Sequence, residues 1–366
     1  MASGSLGLNA LVSIAITAFY GLFALIATMN LLLMRRPQPK SGDASFCVLI
    51  PARNEAPNLG ELLPLLQQQA GGPPKIYVFD DESEDGTAEV AANLGATVIK
   101  PRESLPAGWA GKNRACHELA KAAIEDSNAR WLLFLDADVR PEPDFIQTMQ
   151  GLAAASPRAG VLTGFPTVLP GRGLEPLFLA WVGWILLSTN PFGVVSRTKL
   201  GHNGFTNGQI HAWRSDVYAR LWPNEQVRHH LMEDVMMGRL CAKEKVPVEV
   251  ANLSRVLRVR MYENWRETLD GMSKNSFEIT GTYSGAVLLA LFMLFCALGW
   301  VLAGSWWWLA LTLLTWSGLM VAAICRTPIW PVLLTPLSIL IGAYTILRSA
   351  WWKRTGQTTW KGRVYR

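Results

Sequence analysis

No charged residue occurs between positions 6 and 34, and none between 284 and 325. A spanning helix needs about 20 consecutive apolar residues. Residues 6–34 therefore read as one membrane helix, and 284–325 is long enough for two. A further apolar stretch, 328–347, is broken by Pro331 and Pro336. The first run also lacks the marks of a cleaved leader. No basic residue precedes it and no small-residue cleavage site precedes Arg35, so it is expected to stay as an anchor.

Cysteine is scarce. The five (Cys47, Cys116, Cys241, Cys296 and Cys325) are scattered without a CxxC pair, which argues against a disulfide framework or a zinc site and fits reduced, cytosol-facing thiols. Basic residues are absent before Arg35, whereas Arg35, Arg36 and Lys40 follow the first run directly. The positive-inside tendency puts the N-terminus outside and Lys40 onward in the cytoplasm. The tail carries Lys353, Arg354, Lys361, Arg363 and Arg366 with no acid, so it too is expected in the cytoplasm. That parity requires the last apolar segment to be re-entrant or in-plane. Basic residues beside anionic lipid account for the net charge of +6 without invoking nucleic acid.

Two phosphate loops are excluded by missing residues. The turn "PARNE" has none of the glycines of a dinucleotide fingerprint. In "GWAGKN" the glycines stand too close, and Asn113 takes the place of the magnesium-binding Ser or Thr of a P-loop.

What the middle of the chain does have is regular alternation. "FCVLIPARNE", "KIYVFDDES", "ATVIK" and "WLLFLDAD" are short apolar runs, separated by stretches at helical spacing such as "PNLGELLPLLQQQ" and "NRACHELAKAAIED". Unalternating strands between helices predict an α/β fold with a parallel sheet buried on both faces. Ligands in such sheets bind at the carboxyl ends of the strands. Those ends read Arg53-Asn54-Glu55, Asp80-Asp81 and Asp136-Ala137-Asp138.

Asp136 and Asp138, two residues apart on a strand end, point to one face and repel. A Mg2+ or Mn2+ ion that also carries a diphosphate relieves the repulsion; a strand end capping the next helix with a solvated Asp138 is the alternative. In "VFDDESEDGT", Asp85 and Thr87 read as turn and cap, whereas Asp80 and Asp81 stand where a ligand would lie. Glu233-Asp234 opens an apolar helix, as an ordinary first-turn acid pair or as a site with Asp234 as general base. Lys112 is a surface lysine at a helix start or a nucleotide contact.

The ordered motifs "VLIPARNE", "FDDESEDGT", "FLDADVRPEPDF" and "MEDVMMGRL" resemble the family-2 glycosyltransferases of the GT-A fold, over roughly residues 46–280. The resemblance implies a Rossmann-like, mostly parallel GT-A domain with transmembrane helices at both ends. It implies that Pro51, Arg53 and Glu55 line the nucleoside pocket, that Asp81 with Asp80 holds the uracil, and that Lys112 lies near the nucleotide. Asp136 would face ribose and sugar, Asp138 would bind the metal, and Asp234, beside Glu233, would be the base. The chain would then be divided into an anchor (1–40), a catalytic domain (41–283), C-terminal transmembrane or re-entrant helices (284–352) and a basic tail (353–366).

Residues 174–195 are apolar enough to span, but a crossing would separate Asp138 from Asp234. They are expected to form an interfacial helix with Trp181 and Trp184 at headgroup depth, with a buried core helix as the alternative. An interfacial helix would admit a lipid-borne hydroxyl. The segment 258–275 lacks the Gln/Arg-x-x-Arg-Trp signature of polysaccharide synthases and ceramide glucosyltransferases, since Asn264 precedes Trp265. Its "RMY…GMSKN" pattern is more similar to carotenoid- and hopanoid-associated enzymes. Arg258, Arg260 and Lys274 would neutralise the diphosphate or form an interfacial basic belt. His202, His211, His229 and His230 have no metal-ligand spacing.

The expectation is therefore an inverting, metal-dependent hexosyltransferase of the bacterial cytoplasmic membrane, its catalytic domain facing the cytoplasm. It would move sugar from a UDP-sugar to a hydroxyl of a lipid or terpenoid, whether carotenoid, hopanoid or ceramide-like. The rivals are a polyprenyl-phosphate glycosyltransferase and a non-catalytic nucleotide-sugar-binding membrane protein.

Overall fold

The computed structural model describes residues 2–198, 203–357, 359–360 and 363–364. In chain order these begin with α1 (Ala2–Leu33), β1 (Phe46–Ala52), α2 (Ala56–Gln67), β2 (Lys75–Asp80), α3 (Thr87–Asn93) and β3 (Thr97–Ile99). Next come α4 (Gly111–Asp126), β4 (Trp131–Leu135), β5 (Val139–Pro141), α5 (Phe145–Ala155), β6 (Val161–Phe165) and β7 (Thr167–Val168). They are followed by α6 (Glu175–Thr189), α7 (Phe192–Arg197), β8 (Ile210–Arg214), α8 (Ser215–Leu221), α9 (Pro223–Gln226) and α10 (Glu233–Lys243). Last are β9 (Val248–Asn252), β10 (Leu257–Val259), α11 (Trp265–Ser273), α12 (Tyr283–Leu298), α13 (Trp307–Cys325) and α14 (Thr335–Thr355). The chain divides into two compact units.

The unit made of Arg35–Val168 and Val195–Arg260 holds a seven-stranded sheet in the order β3-β2-β1-β4-β8-β6-β9. The first four strands are parallel, as their unbroken apolar runs require; their side chains from Cys47 to Ile50 and from Leu132 to Leu135 are buried. β8 runs antiparallel between β4 and β6, so the sheet is mixed. A small second sheet, β5-β10-β7, adjoins the end of β4. Arg35 extends the edge of the main sheet: its carbonyl accepts from Asn252 N at 2.8 Å and its Nε lies 3.0 Å from Glu249 Oε1. Its charge is thus taken up by a protein carboxylate rather than left for lipid.

The other unit comprises Met1–Met34, Leu169–Val194 and Met261–Arg366. Among the described residues, three helices in it are long and apolar enough, by length and composition, to cross a membrane: Leu8–Leu33, Tyr283–Cys325 and Trp330–Thr355. The second bends at Gly304, whose φ of 55° breaks it into α12 and α13. The third corrects the reading that its prolines interrupt it. Pro336 falls in the first turn of α14, where no backbone N–H is needed, and the helix then runs unbroken for 21 residues, about 31 Å.

α6 corrects a second expectation. It is apolar on every side, and such a helix is buried rather than laid on a surface. Trp181 and Trp184 are only 3% and 2% exposed, inside a cluster with Phe23, Met293, Ile339 and Ala343. The Trp184 indole donates to Ser317 Oγ at 2.8 Å. Neither ring faces outward at headgroup depth. All five cysteines are free and buried. His202 and the tail residues Lys361 and Arg366 lie outside the described residues.

Candidate active site

The site forms where the carboxyl ends of β1, β2 and β4 meet the start of α10. Paired registers put Pro51 beside Phe79 and Ala52 beside Asp80, so the β1 and β2 loops leave the sheet together. They are laced to each other. Arg53 Nη1 donates to the Asp81 carbonyl at 2.7 Å, Asn54 N to Ser83 Oγ at 2.9 Å, and Glu55 N to Thr87 Oγ1 at 2.9 Å. Asp85 Oδ2 accepts from Ala56 N at 3.0 Å, which makes Asp85 and Thr87 the stitching between loops. Asn54 and Glu82 hold φ of 53° and 60°, the left-handed region that non-glycine residues seldom occupy. Asp80 and Asp81 are buried at 5% and 3% exposure, and Asp80 Oδ1 accepts from Ser83 N at 3.2 Å.

Lys112, in the first turn of α4, reaches three ways. Its Nζ stands 2.7 Å from Asp136 Oδ1, 2.8 Å from Glu233 Oε1 and 3.2 Å from the Gly208 carbonyl. The positive N-terminal turn is a poor place for a lysine, and the two carboxylates outweigh that cost. Burial opposes its charge, yet Asp136 and Glu233 hold the ammonium well above the usual lysine range.

Asp234 is held differently from its neighbour. Gly208 N donates to its Oδ2 at 3.3 Å, and its carbonyl accepts from Thr206 Oγ1 at 2.7 Å. Burial, with Glu233 next to it, pushes the Asp234 carboxyl up to about 6. Asp138 is raised further. Burial, then Asp136 and Glu55 nearby, bring it up to about 7, and its Oδ1 is buried with no hydrogen-bond partner. Asp136 is also raised, by burial, against the pull of Lys112.

The structure thus brings Glu55, Lys112, Asp136, Asp138, Glu233 and Asp234 into one electrostatic neighbourhood, with Arg53, Asp80 and Asp81 at the adjoining loops. Trp181 and Trp184 belong to the other unit. His211 sits in the sheet, its Nδ1 accepting from Trp213 Nε1 at 3.1 Å; burial first, then Lys112, push it down to about 3, so it stays neutral. Sequence reasoning missed Thr206, Gly208 and Gly238. "TNG" reads as a turn, but nothing local says that the turn grips an aspartate 26 residues later.

Among the described residues no group of three or more His, Cys, Asp or Glu side chains forms a metal cage. Mg2+ and Mn2+ do not require one, because they keep waters and take phosphate oxygens alongside one or two carboxylates. The unpartnered Asp138 Oδ1, on a carboxyl that burial and the neighbouring Asp136 and Glu55 raise, fits such an ion, whose positive charge would relieve that crowding.

Residues 47–218 match the family model described as Glycosyl transferase family 2. The chain carries a family-2 glycosyltransferase domain. It is 26% identical over 267 residues to the 4,4'-diaponeurosporenoate glycosyltransferase of Staphylococcus aureus strain USA300, covering 69% of each protein. In fold the glycosyltransferase is similar to the mannosyltransferase PcManGT of Pyrobaculum calidifontis, solved with GDP-Man and Mn2+. The TM-score is 0.54 at 15% identity, covering 94% of this chain and 99% of that one. The mixed sheet with acidic strand ends is the GT-A arrangement that the four motifs implied.

Proposed function

We propose that the protein transfers a sugar, with inversion, from a UDP-sugar to a hydroxyl of a lipid or terpenoid. The reaction would take place at the cytoplasmic face of a bacterial membrane. The observation that carries this reading is the division of labour at α10: Glu233 is ion-paired with Lys112 at 2.8 Å, while Asp234 makes hydrogen bonds to the 206–208 turn and is raised by burial and by Glu233 against the pull of Lys112. A base whose pKa lies near the working pH is the efficient one. Asp234 takes the acceptor proton as its oxygen attacks the anomeric carbon from the face opposite the leaving nucleotide. Asp80 and Asp81 hold the nucleobase, and Pro51, Arg53 and Glu55 form the nucleoside side of the pocket. Lys112 keeps Asp136 turned toward ribose and sugar. Mg2+ or Mn2+ on Asp138, with Asp136 beside it, would offset the charge developing on the departing diphosphate.

The apolar helices and the carotenoid-named relative support a hydrophobic acceptor. That relative's name also favours a second reading, because its substrate part, diaponeurosporenoate, denotes a carboxylate. If the acceptor oxygen is already anionic, as in a carboxylate or a polyprenyl phosphate, Asp234 has no proton to take. One experiment separates these readings. Detergent-solubilised protein is incubated with a set of UDP-sugars and a bacterial lipid extract, and new glycolipids are sought by mass spectrometry for wild type and Asp234→Asn. A hydroxyl-linked product lost in the variant supports the proposal. An ester- or phosphate-linked product retained in the variant replaces it with the second reading. UDP binding without donor consumption over the whole extract would leave a non-catalytic binding protein.

A further inference from the structure

Asp136, Ala137 and Asp138 form the turn between β4 and β5, and the middle residue of β5 is Arg140. Its register sets it against another cation: Arg140 stands opposite Arg258 on β10. Like charges directly opposite on antiparallel strands destabilise the pair. Each arginine turns to its own acid, Arg258 to Glu142 and Arg140 to Glu61, whose Oε2 accepts from Arg140 Nε at 2.7 Å.

Glu61 takes one edge of the guanidinium, and the rest of it reaches further. Arg140 Nη1 donates to the Ala137 carbonyl at 3.1 Å and to the Val139 carbonyl at 2.9 Å, and Nη2 donates to Asn58 Oδ1 at 2.8 Å. Asn58 in turn donates from Nδ2 to Glu55 Oε2 at 2.7 Å. One side chain thus ties the peptide between the two aspartates to α2, and through Asn58 to the β1 loop. Ala137 is buried, and a buried carbonyl needs a partner. Arg140 supplies it without occupying a carboxylate oxygen of Asp136 or Asp138. Two like charges so close in sequence repel and would spread the turn. The guanidinium opposes that spreading through its charge and through its bonds.

We propose that Arg140 is a positioning residue for a divalent-cation site: it holds Asp136 and Asp138 in the relation that one cation requires. Its role runs through the Ala137 peptide, not through a bond to the cation. The task needs the planar fork, which meets the turn and α2 in fixed directions, where a lysine ammonium is a single point of charge. The inference rests on the reading of Asp138, with Asp136 beside it, as the carboxylates that take Mg2+ or Mn2+.

The test is a calorimetric titration of Mn2+ into the full-length protein in detergent, without and with UDP, the Mn2+ taken up by UDP alone being subtracted. Removing a residue that orients a metal's ligands typically weakens metal affinity about 10–100-fold. Arg140→Gln is expected to do so while the number of sites stays at the wild-type value, and Arg140→Lys should recover only part of the loss. Arg214→Gln breaks the bidentate pair with Asp216 at the far end of β8, and it should leave the affinity unchanged. Unchanged affinity in Arg140→Gln overturns the proposal. So does a loss of sites at unchanged affinity, the mark of a merely structural arginine. Full recovery in Arg140→Lys overturns it as well, since charge alone would then suffice. Asp138→Asn tests the underlying reading separately. If the wild type takes up no Mn2+, or Asp138→Asn takes it up equally well, Asp138 is no metal ligand and the inference falls with that reading.

Discussion

Lys112 Nζ lies 2.8 Å from Glu233 Oε1, and this contact separates the roles of two acids adjacent in sequence. Removing the lysine strands two partly buried carboxylates, Asp136 and Glu233. Breaking a buried ion pair by deleting one partner costs about 3 kcal/mol or more. Lys112→Met is therefore expected to lower the unfolding midpoint and to reduce turnover. A variant as stable as wild type would show that solvent already screens the triad.

Asp234→Asn is expected to lower kcat about 10²–10⁴-fold, the usual worth of a general base. Nucleotide affinity should stay near wild type, because Asn still accepts from Gly208 N. Glu233→Gln should instead impair stability more than chemistry, since its task is to face Lys112. Steady-state kinetics on both variants, with UDP binding measured alongside, checks the division. Comparable turnover losses in the two would erase the distinction between them.

Much of this arrangement was legible in the sequence, and what was not has a physical reason. The strands β1, β2 and β4 announce themselves as unbroken apolar runs ending in acids, because a strand covered on both faces has no polar side to show. β8 does not: "IHAWR" carries a histidine and an arginine, and its antiparallel direction comes from where the chain returns. The sequence leaves Trp181 and Trp184 between the headgroups and a buried core, because an apolar helix with tryptophans fits either, and only packing decides. Gly208 and Thr206 hold Asp234 through contacts that exist only once β8 and α10 are in place.

Asp138 carries a pH prediction. Burial and its acidic neighbours raise it to about 7, so below that pH the metal-free carboxyl holds a proton that a cation must displace. Mn2+ affinity, measured with nucleotide present, should rise with pH up to about 7 and flatten above it. Calorimetry in buffers of different ionisation enthalpy should register proton release on binding. In Asp138→Asn the pH dependence should vanish along with most of the affinity. A flat affinity from pH 5.5 to 8 in the wild type, both values being roughly chosen to bracket the raised carboxyl, would refute the assignment.

Gly238 lies one turn beyond Asp234 on α10. A Cβ there would come 2.4 Å from the Gly204 carbonyl oxygen and 2.9 Å from Phe205 Cα, both backbone atoms that cannot swing aside. Gly238→Ala must push residues 204–205 away, and Thr206, which holds the Asp234 carbonyl, follows directly after them. The expected outcome is a loss of about 1–3 kcal/mol, as for overpacking elsewhere, with a lower kcat and little change in UDP affinity. Gly60, inside α2 with nothing within 4 Å of its would-be Cβ, is the control. Gly60→Ala should be neutral or stabilise by about 0.5–1 kcal/mol. Equal melting temperatures for the two alanine variants would show that the close approach at Gly238 is relieved by a small shift.

Asn30 of α1 is fully buried, and both ends of its amide are satisfied. Its Nδ2 donates to the carbonyls of Leu187 and Asn190, each at 2.8 Å, and its Oδ1 accepts from Gly193 N at 2.9 Å. These partners sit at and just past the C-terminal end of α6, where helix carbonyls lack partners of their own. The first apolar helix therefore caps the end of α6, and within this unit it fixes where that helix stops. Asn30→Leu keeps the volume but leaves two carbonyls and an N–H buried without partners, at about 1–3 kcal/mol for each group left unpaired. Measured side-chain hydrogen bonds between membrane helices are often worth less, about 0.6 kcal/mol on average, so about 2 kcal/mol in total is the expected loss. Denaturant unfolding in detergent reads it, with Leu32→Ala, on the exposed side of α1 at 71% exposure, as the neutral comparison. A stability for Asn30→Leu equal to wild type would mean that the end of α6 is held by packing of its apolar faces and not by this amide.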